Sequence, residues 1–452
     1  MGIQHVMVLP FPAQGHVNPL MSFSKRLAQH GFKVTFVNTD FIHKRVVSAT
    51  NEEVNLQESP VKLISVPDGL GPQHDRNDLA SLVLAILRTM PSAIENLIRD
   101  MNGGSDKITA IVADLNMAWA MDVADKLGLK AAVFCPSSAA VFALQNDIPK
   151  LIQDGVLDNT GFPIIKGEFQ LSPAMPIMNS ADIPWCCIGD TTVQKTIYDY
   201  IAKFMDYVHL TDWWLCNTTS ELEHGALSLS PKILPVGPVL MESRNEFRSV
   251  GQFWEEDLSC LKWLDQQPPS SVIYIAFGSF TIFDSIQLKE LALGLDLTNK
   301  PFLWVVREDA SGSTKITYPD EFRGTRGKIV KWAPQQKVLG HPAIACFVSH
   351  CGWNSTMEGV ANGVPFLCWP YFADQLFDKA YICDVWKVGL GFDTDDKGVI
   401  SRWEIKKKVD QLFGDQNMRR RSQKLKEMVV RNMAAGGKSY ENLTKFVEWL
   451  RK

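Results

Sequence analysis

The sequence predicts an α/β fold of two doubly wound, Rossmann-like parallel sheets. Three observations carry this. In the first half, short apolar strand patterns alternate with helical patterns. The alternation restarts near Trp254. Between the two series, roughly from Gly237 to Phe253, neither pattern holds. A chain of 452 residues, at roughly 100–200 residues per domain, accommodates two such domains. The expected boundaries are 1–240 and 254–437, with 241–253 as linker and a terminal helix over 438–452.

The elements follow in order. His5–Pro10 reads as a first strand and Asn18–His30 as a helix closed by Gly31. Lys33–Asn38 is β-branched and aromatic, a second strand. Lys107–Ala113 is another strand, Ala118–Leu127 a helix stopped by Gly128, and Lys130–Cys135 a strand again. Ile148–Trp185 is rich in Pro, Gly, Asn and Asp and reads as a long irregular insertion. Helical patterning returns over Thr191–Val208, before a short strand at Leu215–Asn217. The second series has a helix ending at Cys260–Asp265, a strand at Val272–Phe277 and a helix at Ser285–Leu295. Further strands follow at Phe302–Val306, Ala345–Val348 and Phe366–Cys368. The last helix, Lys438–Leu450, follows the Gly436-Gly437 break.

Composition excludes several classes. Hydrophobic residues make up 46% and charged residues 21%, ordinary for a chain with large cores. The net charge of −4 and scattered Lys and Arg leave no basic footprint, so no nucleic-acid partner is expected. The nine cysteines have neither metal-ligand spacing nor the even count of a secreted disulfide framework, and read as buried thiols of a cytoplasmic protein. The N-terminus lacks a basic signal-peptide region. No run of 18 apolar residues occurs, so no membrane span is expected. A monomer is expected.

Ligands of doubly wound sheets bind beyond the carboxyl ends of the strands, and chemistry is sought there. The strand Ala345–Val348 runs into Ser349-His350-Cys351-Gly352-Trp353-Asn354-Ser355-Thr356 and then a short helix ending at Gly363. Such a turn offers backbone N–H groups, the positive end of a helix, hydroxyls, an amide and an imidazole, which suit an anionic diphosphate. Gly352 lets the backbone approach a ligand closely. Asn354 and Ser355 are also good helix caps, which would explain one of them but not His350. Glu358, one turn into the helix, suits ribose hydroxyls or is a surface carboxylate near a helix start. Trp332, beside Ala333-Pro334-Gln335, can stack a planar base or be rim packing. Asp374-Gln375 suits vicinal sugar hydroxyls or starts a helix.

Together these residues are far more specific than any one. From Trp332 to Gln375 the segment spans 44 residues and contains WAPQ, GHPA, FVSHCGWNS, EGV, GVPFL and PYFADQ. Here the chain resembles the plant family 1 UDP-glycosyltransferases, whose C-terminal box begins with Trp and ends in Asp-Gln or Asp-His. Phe277-Gly278-Ser279 and the WLDQQP segment at Trp263 fit the same family. The resemblance covers essentially the whole chain. It implies the GT-B fold, two Rossmann-like domains facing each other across a cleft with the terminal helix packing back on the first.

It also implies roles. Trp332 would stack on uracil, with the Ala333 backbone at its edge. Gln335 and Glu358 would face the ribose. His350, Asn354, Ser355, Ser279 and the backbone at Gly352 would hold the diphosphate. Trp353, Asp374 and Gln375 would contact the sugar, and Gln at the last position leans toward UDP-glucose. The UDP-sugar is a co-substrate, and no cofactor or metal is implied.

Transfer to a hydroxyl needs a base, and His suits that near neutral pH. His16 follows the first strand in Pro12-Ala13-Gln14-Gly15-His16, and Asp114 follows the strand Lys107–Ala113. Taken singly, His16 is a loop or capping group and Asp114 caps the next helix. Both match the family's P-x-x-G-H and D-x-x-x-x-W patterns. The resemblance therefore implies His16 as general base, oriented by Asp114, in an inverting, metal-independent transfer. Met117, Trp119, Phe142, Met175 and Trp185 are candidates for an apolar acceptor pocket or for core. The acceptor is expected to be a small, largely apolar molecule such as a flavonoid, another phenolic or a terpenoid. C-transfer and other UDP-sugars remain alternatives. A nicotinamide-dependent oxidoreductase would need G-x-G-x-x-G after a strand, which is absent. A non-catalytic UDP-sugar binder would be expected to lose His16 or Asp114, and both are present.

Overall fold

A computed structural model of the chain describes residues 3–49, 59–104, 106–240, 251–279, 281, 283–307, 319 and 321–452. Most of the expected linker, residues 241–250, lies outside the described residues. The chain forms two compact units. One comprises Met1–Trp254 with Asn432–Lys452, the other Glu255–Arg431.

The first unit holds β1 (His5–Leu9), β2 (Lys33–Thr39), β3 (Val61–Val66), β4 (Ala110–Asp114) and β5 (Lys130–Cys135). A small antiparallel pair follows, β6 (Glu168–Phe169) and β7 (Met178–Asn179), and then β8 (Trp214–Cys216) and β9 (Ile233–Pro235). Seven strands make a parallel sheet in the order β3-β2-β1-β4-β5-β8-β9. Every residue of β1 and β4 is buried, as a strand covered on both faces requires. The order reverses between β1 and β4, whose register pairs Leu9 with Ala113. The helix after β1 runs from Gln14 to Gln29, four residues earlier than the expected start at Asn18, with Pro19 inside it. The strand expected at Lys107 begins at Ala110 and takes in Asp114.

The second unit holds β10 (Val272–Ala276), β11 (Phe302–Val305), β12 (Gly327–Val330), β13 (Ile344–Ser349), β14 (Phe366–Cys368) and β15 (Gly389–Gly391). They form a parallel sheet in the order β12-β11-β10-β13-β14-β15. Its reversal falls between β10 and β13, where Ala276 pairs with Ser349, and Ser349 in turn pairs with Cys368. Three loops therefore leave one sheet edge side by side, after β10, β13 and β14.

Each unit has its own core. In the first, Val6, Val8, Leu20, Phe23, Phe36 and Phe134 pack with Phe446, Val447 and Leu450 of the terminal helix Lys438–Arg451. Phe446 lies 5.2 Å from the Trp213 ring, and Asn442 donates to the Pro235 carbonyl at 2.9 Å. In the second, Ile273, Ile275, Leu291, Leu295 and Trp304 meet Ile405, Val409 and Leu412. Folding thus joins residues more than 400 positions apart in the first unit, which ties its stability to the chain's end.

Among the helices that the sequence reading did not anticipate, one is unusually long. Leu79–Asn102 is long and apolar enough to cross a membrane by length and composition. Its charges, Arg88, Glu95, Arg99 and Asp100, break any fully apolar run. Leu82, Val83, Ile86, Met90, Ile94 and Ile98 line one buried face at helical spacing, packed against the helix Thr191–Val208. It is a core helix of the first unit.

A buried carboxylate ties the segment between β8 and β9 to the helix that follows β5. Both oxygens of Glu223 accept backbone N–H groups at the start of the helix Ala139–Asn146, from Ala139 and Ala140, each at 2.9 Å. Burial nevertheless pushes its carboxyl up to about 7. Between the unfolded value near ~4.3 and about 7, the folded chain keeps a proton that the unfolded chain has released. This group's contribution to stability is therefore full at low pH and is lost as pH rises through that window. The gap in thermal midpoint between wild type and Glu223→Ala is expected to be larger at about pH 5.5 than at about pH 8. Scanning fluorimetry at the two pH values checks this, and a gap that widens with pH would contradict it.

Candidate active site

His16 and Asp114 meet at the reversal of the first sheet. His16 stands in the first turn of the helix Gln14–Gln29, directly after the loop leaving β1. Asp114 is the last residue of β4. Because β1 and β4 are neighbours in register, the loop and the strand end bring the two side chains together. Asp114 Oδ2 accepts from His16 Nδ1 at 2.8 Å, the carboxylate fully buried and the imidazole a quarter exposed. The other oxygen, Oδ1, accepts from the Asn116 N–H at 2.9 Å and caps the turn Leu115–Met117. Asp114 thus bonds the imidazole with one oxygen and caps a turn with the other.

The surroundings fix this pair. Gln14 accepts from the Phe253 N–H at 2.9 Å and donates to Gln252 Oε1 at 2.8 Å, which anchors the loop. Phe11 packs on the His16 ring at 5.2 Å. The buried Tyr200 hydroxyl donates to the Asn116 carbonyl. With Nδ1–H directed at the carboxylate, the neutral ring is held in the tautomer whose Nε2 accepts a proton.

The segment Trp332–Gln375 lies at the edge of the second sheet. After β13 the chain turns through His350 and Cys351, the latter at a positive φ of 68° rare for a residue with a side chain. Ser349 Oγ accepts from the Cys351 N–H at 3.0 Å, and Thr356 Oγ1 donates to the Cys351 carbonyl at 3.1 Å. Buried hydroxyls on both sides thus hold the turn. Gly352 is the cap of the helix Trp353–Asn362 and supplies no side chain to its first N–H groups. Asn354 and Ser355 sit inside the first turn, so neither is the cap that their residue types suggest.

Two glycines open the space around His350. A Cβ on Gly278 would lie 2.7 Å from His350 Nε2, and one on Gly352 would lie 2.6 Å from it. Ser279 follows Gly278 in the loop after β10. Enclosure of the ring, with help from the Arg307 charge, lowers the His350 pKa to about 4, although one edge remains accessible. At neutral pH His350 is an uncharged hydrogen-bonding group.

Glu358 is embedded in a network and is not a surface carboxylate. Its Oε2 accepts from Gln335 Nε2 at 2.6 Å and its Oε1 from Gln336 Nε2 at 3.1 Å. Gln335 also donates to Ser355 Oγ at 2.9 Å and accepts from the buried Tyr274 hydroxyl at 3.1 Å. Burial raises the Glu358 pKa, against the two amide bonds that lower it. Tyr274 and Gln336 were missed in the sequence. Gln336 carried a faint signal as the second amide of a pair opening the helix Gln335–Leu339. Tyr274 carried only its being polar in an otherwise aliphatic strand.

The remaining candidates divide. Trp332 is half-buried and its carbonyl accepts from the Asp257 N–H at 3.0 Å, while Ala333 is buried. Trp353 is buried, its ring packed on Trp386 at 6.2 Å, so a sugar contact from it would run through backbone or ring edge. Gln375 is buried and its Oε1 accepts from the Tyr371 and Phe372 N–H groups at 2.8 and 3.2 Å. Asp374 precedes the helix Gln375–Ala380 but makes no capping bond with its side chain. Met117, Trp119, Phe142, Met175 and Trp185 are all buried. Phe142 stacks on Trp214, and Trp185 donates to the Gly161 carbonyl at 2.7 Å beside Tyr198. Phe142 and Trp185 are therefore core. Among the described residues no group of three His, Cys, Asp or Glu side chains is arranged to hold a metal.

Comparison with known proteins decides the family. Residues 248–425 match the model for UDP-glucoronosyl and UDP-glucosyl transferase, and residues 3–155 that for the glycosyltransferase N-terminal domain. The UDP-glycosyltransferase 83A1 of Arabidopsis thaliana is 45% identical over 460 residues, covering 100% of this chain and 97% of the relative. The chain belongs to the plant UDP-glycosyltransferases. Two solved structures support the same fold. Os79 of O. sativa, in complex with UDP, superposes with a TM-score of 0.81 at 27% identity over 98% of this chain and 100% of its own. UGT2 of Phytolacca americana, complexed with UDP-2fluoro-glucose and pterostilbene, gives 0.81 at 25% identity over 99% and 100%. The fold is GT-B, and the chain is a UDP-glycosyltransferase acting on small molecules.

As a UDP-glycosyltransferase the chain must bind a diphosphate, and the glycine-flanked His350 gives that requirement a test. Gly278 has a φ of +69° and no room for a side chain beside the ring. Gly278→Ala is expected to weaken UDP binding about tenfold, the loss of roughly one good hydrogen bond to an anion. Titration calorimetry measures it, and unchanged affinity in a folded variant would show that His350 does not face the diphosphate.

Proposed function

We propose that the chain transfers glucose from UDP-glucose, with inversion, to a hydroxyl of a small and largely apolar acceptor. The observation that carries the mechanism is the 2.8 Å bond between His16 Nδ1 and the buried Asp114 carboxylate. In this reading His16 Nε2 takes the acceptor's proton as its oxygen attacks the anomeric carbon opposite UDP. Asp114 stabilises the imidazolium that forms. An α-linked donor gives a β-glycoside. The unit of β1–β9 takes the acceptor and the unit of β10–β15 takes the donor, so neither is expected to turn over alone.

The donor roles follow the same reading. Trp332 and Ala333 meet uracil, while Gln335 and Glu358 meet the ribose. Ser279, His350, Gly352, Asn354 and Ser355 meet the diphosphate, and Trp353, Asp374 and Gln375 the sugar. Charge developing on the leaving diphosphate is met by helix N–H groups and neutral side chains, preorganised by buried Ser349 and Thr356. The lean to glucose comes from Gln375. The lean to an apolar acceptor draws support from pterostilbene, bound by the Phytolacca relative. All nine cysteines are free thiols, in keeping with a reducing compartment such as the cytoplasm.

His16→Ala is expected to lower kcat with an aliphatic-alcohol acceptor at least ~10²-fold, the low end of general-base catalysis. Single-turnover kinetics check it, and near-wild-type turnover would remove His16 from the mechanism. A donor panel on the best acceptor is expected to favour UDP-glucose over UDP-galactose. Product from UDP-galactose alone, read by mass spectrometry, would overturn the reading of Gln375.

A further inference from the structure

Three thiols cluster behind the donor loop, and no step of sugar transfer uses them. Cys368 ends β14 and is fully buried. Its Sγ lies 3.7 Å from Cys383 Sγ, and it is also in hydrogen-bonding reach of the Cys351 thiol. Cys351 is the positive-φ residue between His350 and Gly352. Cys383 lies in the π-helical turn Tyr381–Val385 and is half-buried, the one member of the three with solvent access. The cluster therefore runs from solvent to the turn that carries His350.

We propose that Cys383 and Cys368 form a peroxide-oxidisable dithiol whose closure acts on the donor loop through Cys351. The Sγ atoms are in van der Waals contact. A disulfide needs them at about 2.05 Å, a closure of about 1.7 Å. A π-turn is a local irregularity in helical hydrogen bonding, better able to yield than β14, which is paired on both sides. Contact with Cys368 and the nearby Lys379 and Lys408 favour the Cys383 thiolate, against burial and Asp384.

The chemistry balances with hydrogen peroxide as oxidant. The Cys383 thiolate attacks one peroxide oxygen, the O–O bond breaks, and Cys383 becomes a sulfenic acid with release of hydroxide. The Cys368 sulfur then attacks the Cys383 sulfur. The S–OH bond breaks, the S–S bond forms, and the Cys368 proton leaves with the hydroxyl as water. Two thiols are oxidised by two electrons and one peroxide is reduced to two waters. As the π-turn closes on β14, the Cys368 sulfur gives up its proton and with it the thiol contact with Cys351, whose neighbours in the chain are His350 and Gly352.

The effect on donor binding rests on the donor roles proposed above; the dithiol does not. The test treats the full chain with hydrogen peroxide and follows it by peptide mass spectrometry and steady-state kinetics. A cross-link joining the peptides of Cys368 and Cys383 is expected, reversible by dithiothreitol and absent in Cys383→Ser. The oxidised enzyme is expected to show a donor KM raised at least about fivefold, the low end of coupling between linked sites, with acceptor KM unchanged. Cys383→Ser should keep its donor KM through the same treatment. Failure to form the cross-link, or conversion of Cys383 to sulfinic acid alone, overturns the dithiol. A cross-link with unchanged donor KM overturns the link through Cys351. His350→Ala measured alongside separates the two readings: if it too leaves donor KM unchanged, the donor role of that turn is what fails.

Discussion

Parallel sheets impose one constraint on which the candidate chemistry depends. Where strand order reverses, neighbouring strands send their following segments to opposite faces, and a gap opens at their carboxyl ends. In the first sheet the reversal sets Leu9 beside Ala113, and only for that reason do His16 and Asp114, 98 positions apart, share a hydrogen bond. In the second sheet it sets Ala276 beside Ser349, which brings Gly278 against His350. The same topological event, occurring twice, supplies a buried acid–imidazole pair in one unit and a glycine-walled imidazole in the other.

The two imidazoles have different neighbours. His16 has a buried carboxylate on Nδ1 at 2.8 Å, which fixes the orientation of its ring. For His350, enclosure and the Arg307 charge drive the ring toward the neutral form. In the donor reading proposed above, a neutral ring would meet the diphosphate without adding a full charge that retains UDP. The rest of that turn follows the same logic, relying on backbone N–H groups and hydroxyls fixed by Ser349 and Thr356. Rigidity here comes from buried polar bonds and from a strained Cys351, so the geometry is set before a ligand arrives.

Much of this was legible in the sequence. Strands with continuous apolar runs, such as β1, β5 and β14, stand out because burial on both faces leaves no alternation to misread. Glycine stops at Gly128 and Gly363 fixed two helix ends, each in the left-handed conformation. β15 is only Gly-Leu-Gly, and β3 alternates with exposed or half-buried residues, so neither carries a local signal. Their strand character comes from pairing with β14 and β2. At the site, residue types named the groups but not their partners. That Glu358 bonds two glutamines and that Tyr274 holds Gln335 depend on β10 lying beside β13, which is information of the fold.

Residues with two polar ends show why single-role readings of a sequence are incomplete. Asp114 divides its oxygens between a turn and an imidazole, and Gln335 divides its amide between a tyrosine and a carboxylate. Gln375 is the sharpest case. Its Oε1 is committed to the N–H groups of Tyr371 and Phe372, which shape the loop ahead of it through Ala373 at a φ of 57°. What it can still present is the N–H₂ end, a donor only. In Gln375 one atom therefore accepts from the loop while another is left able to donate. Glutamate lacks the donor and asparagine is a carbon shorter, while glutamine and neutral histidine each carry one acceptor and one donor at separate atoms. Both residue types that the resemblance admits at this position can thus satisfy the loop and keep one donating edge free.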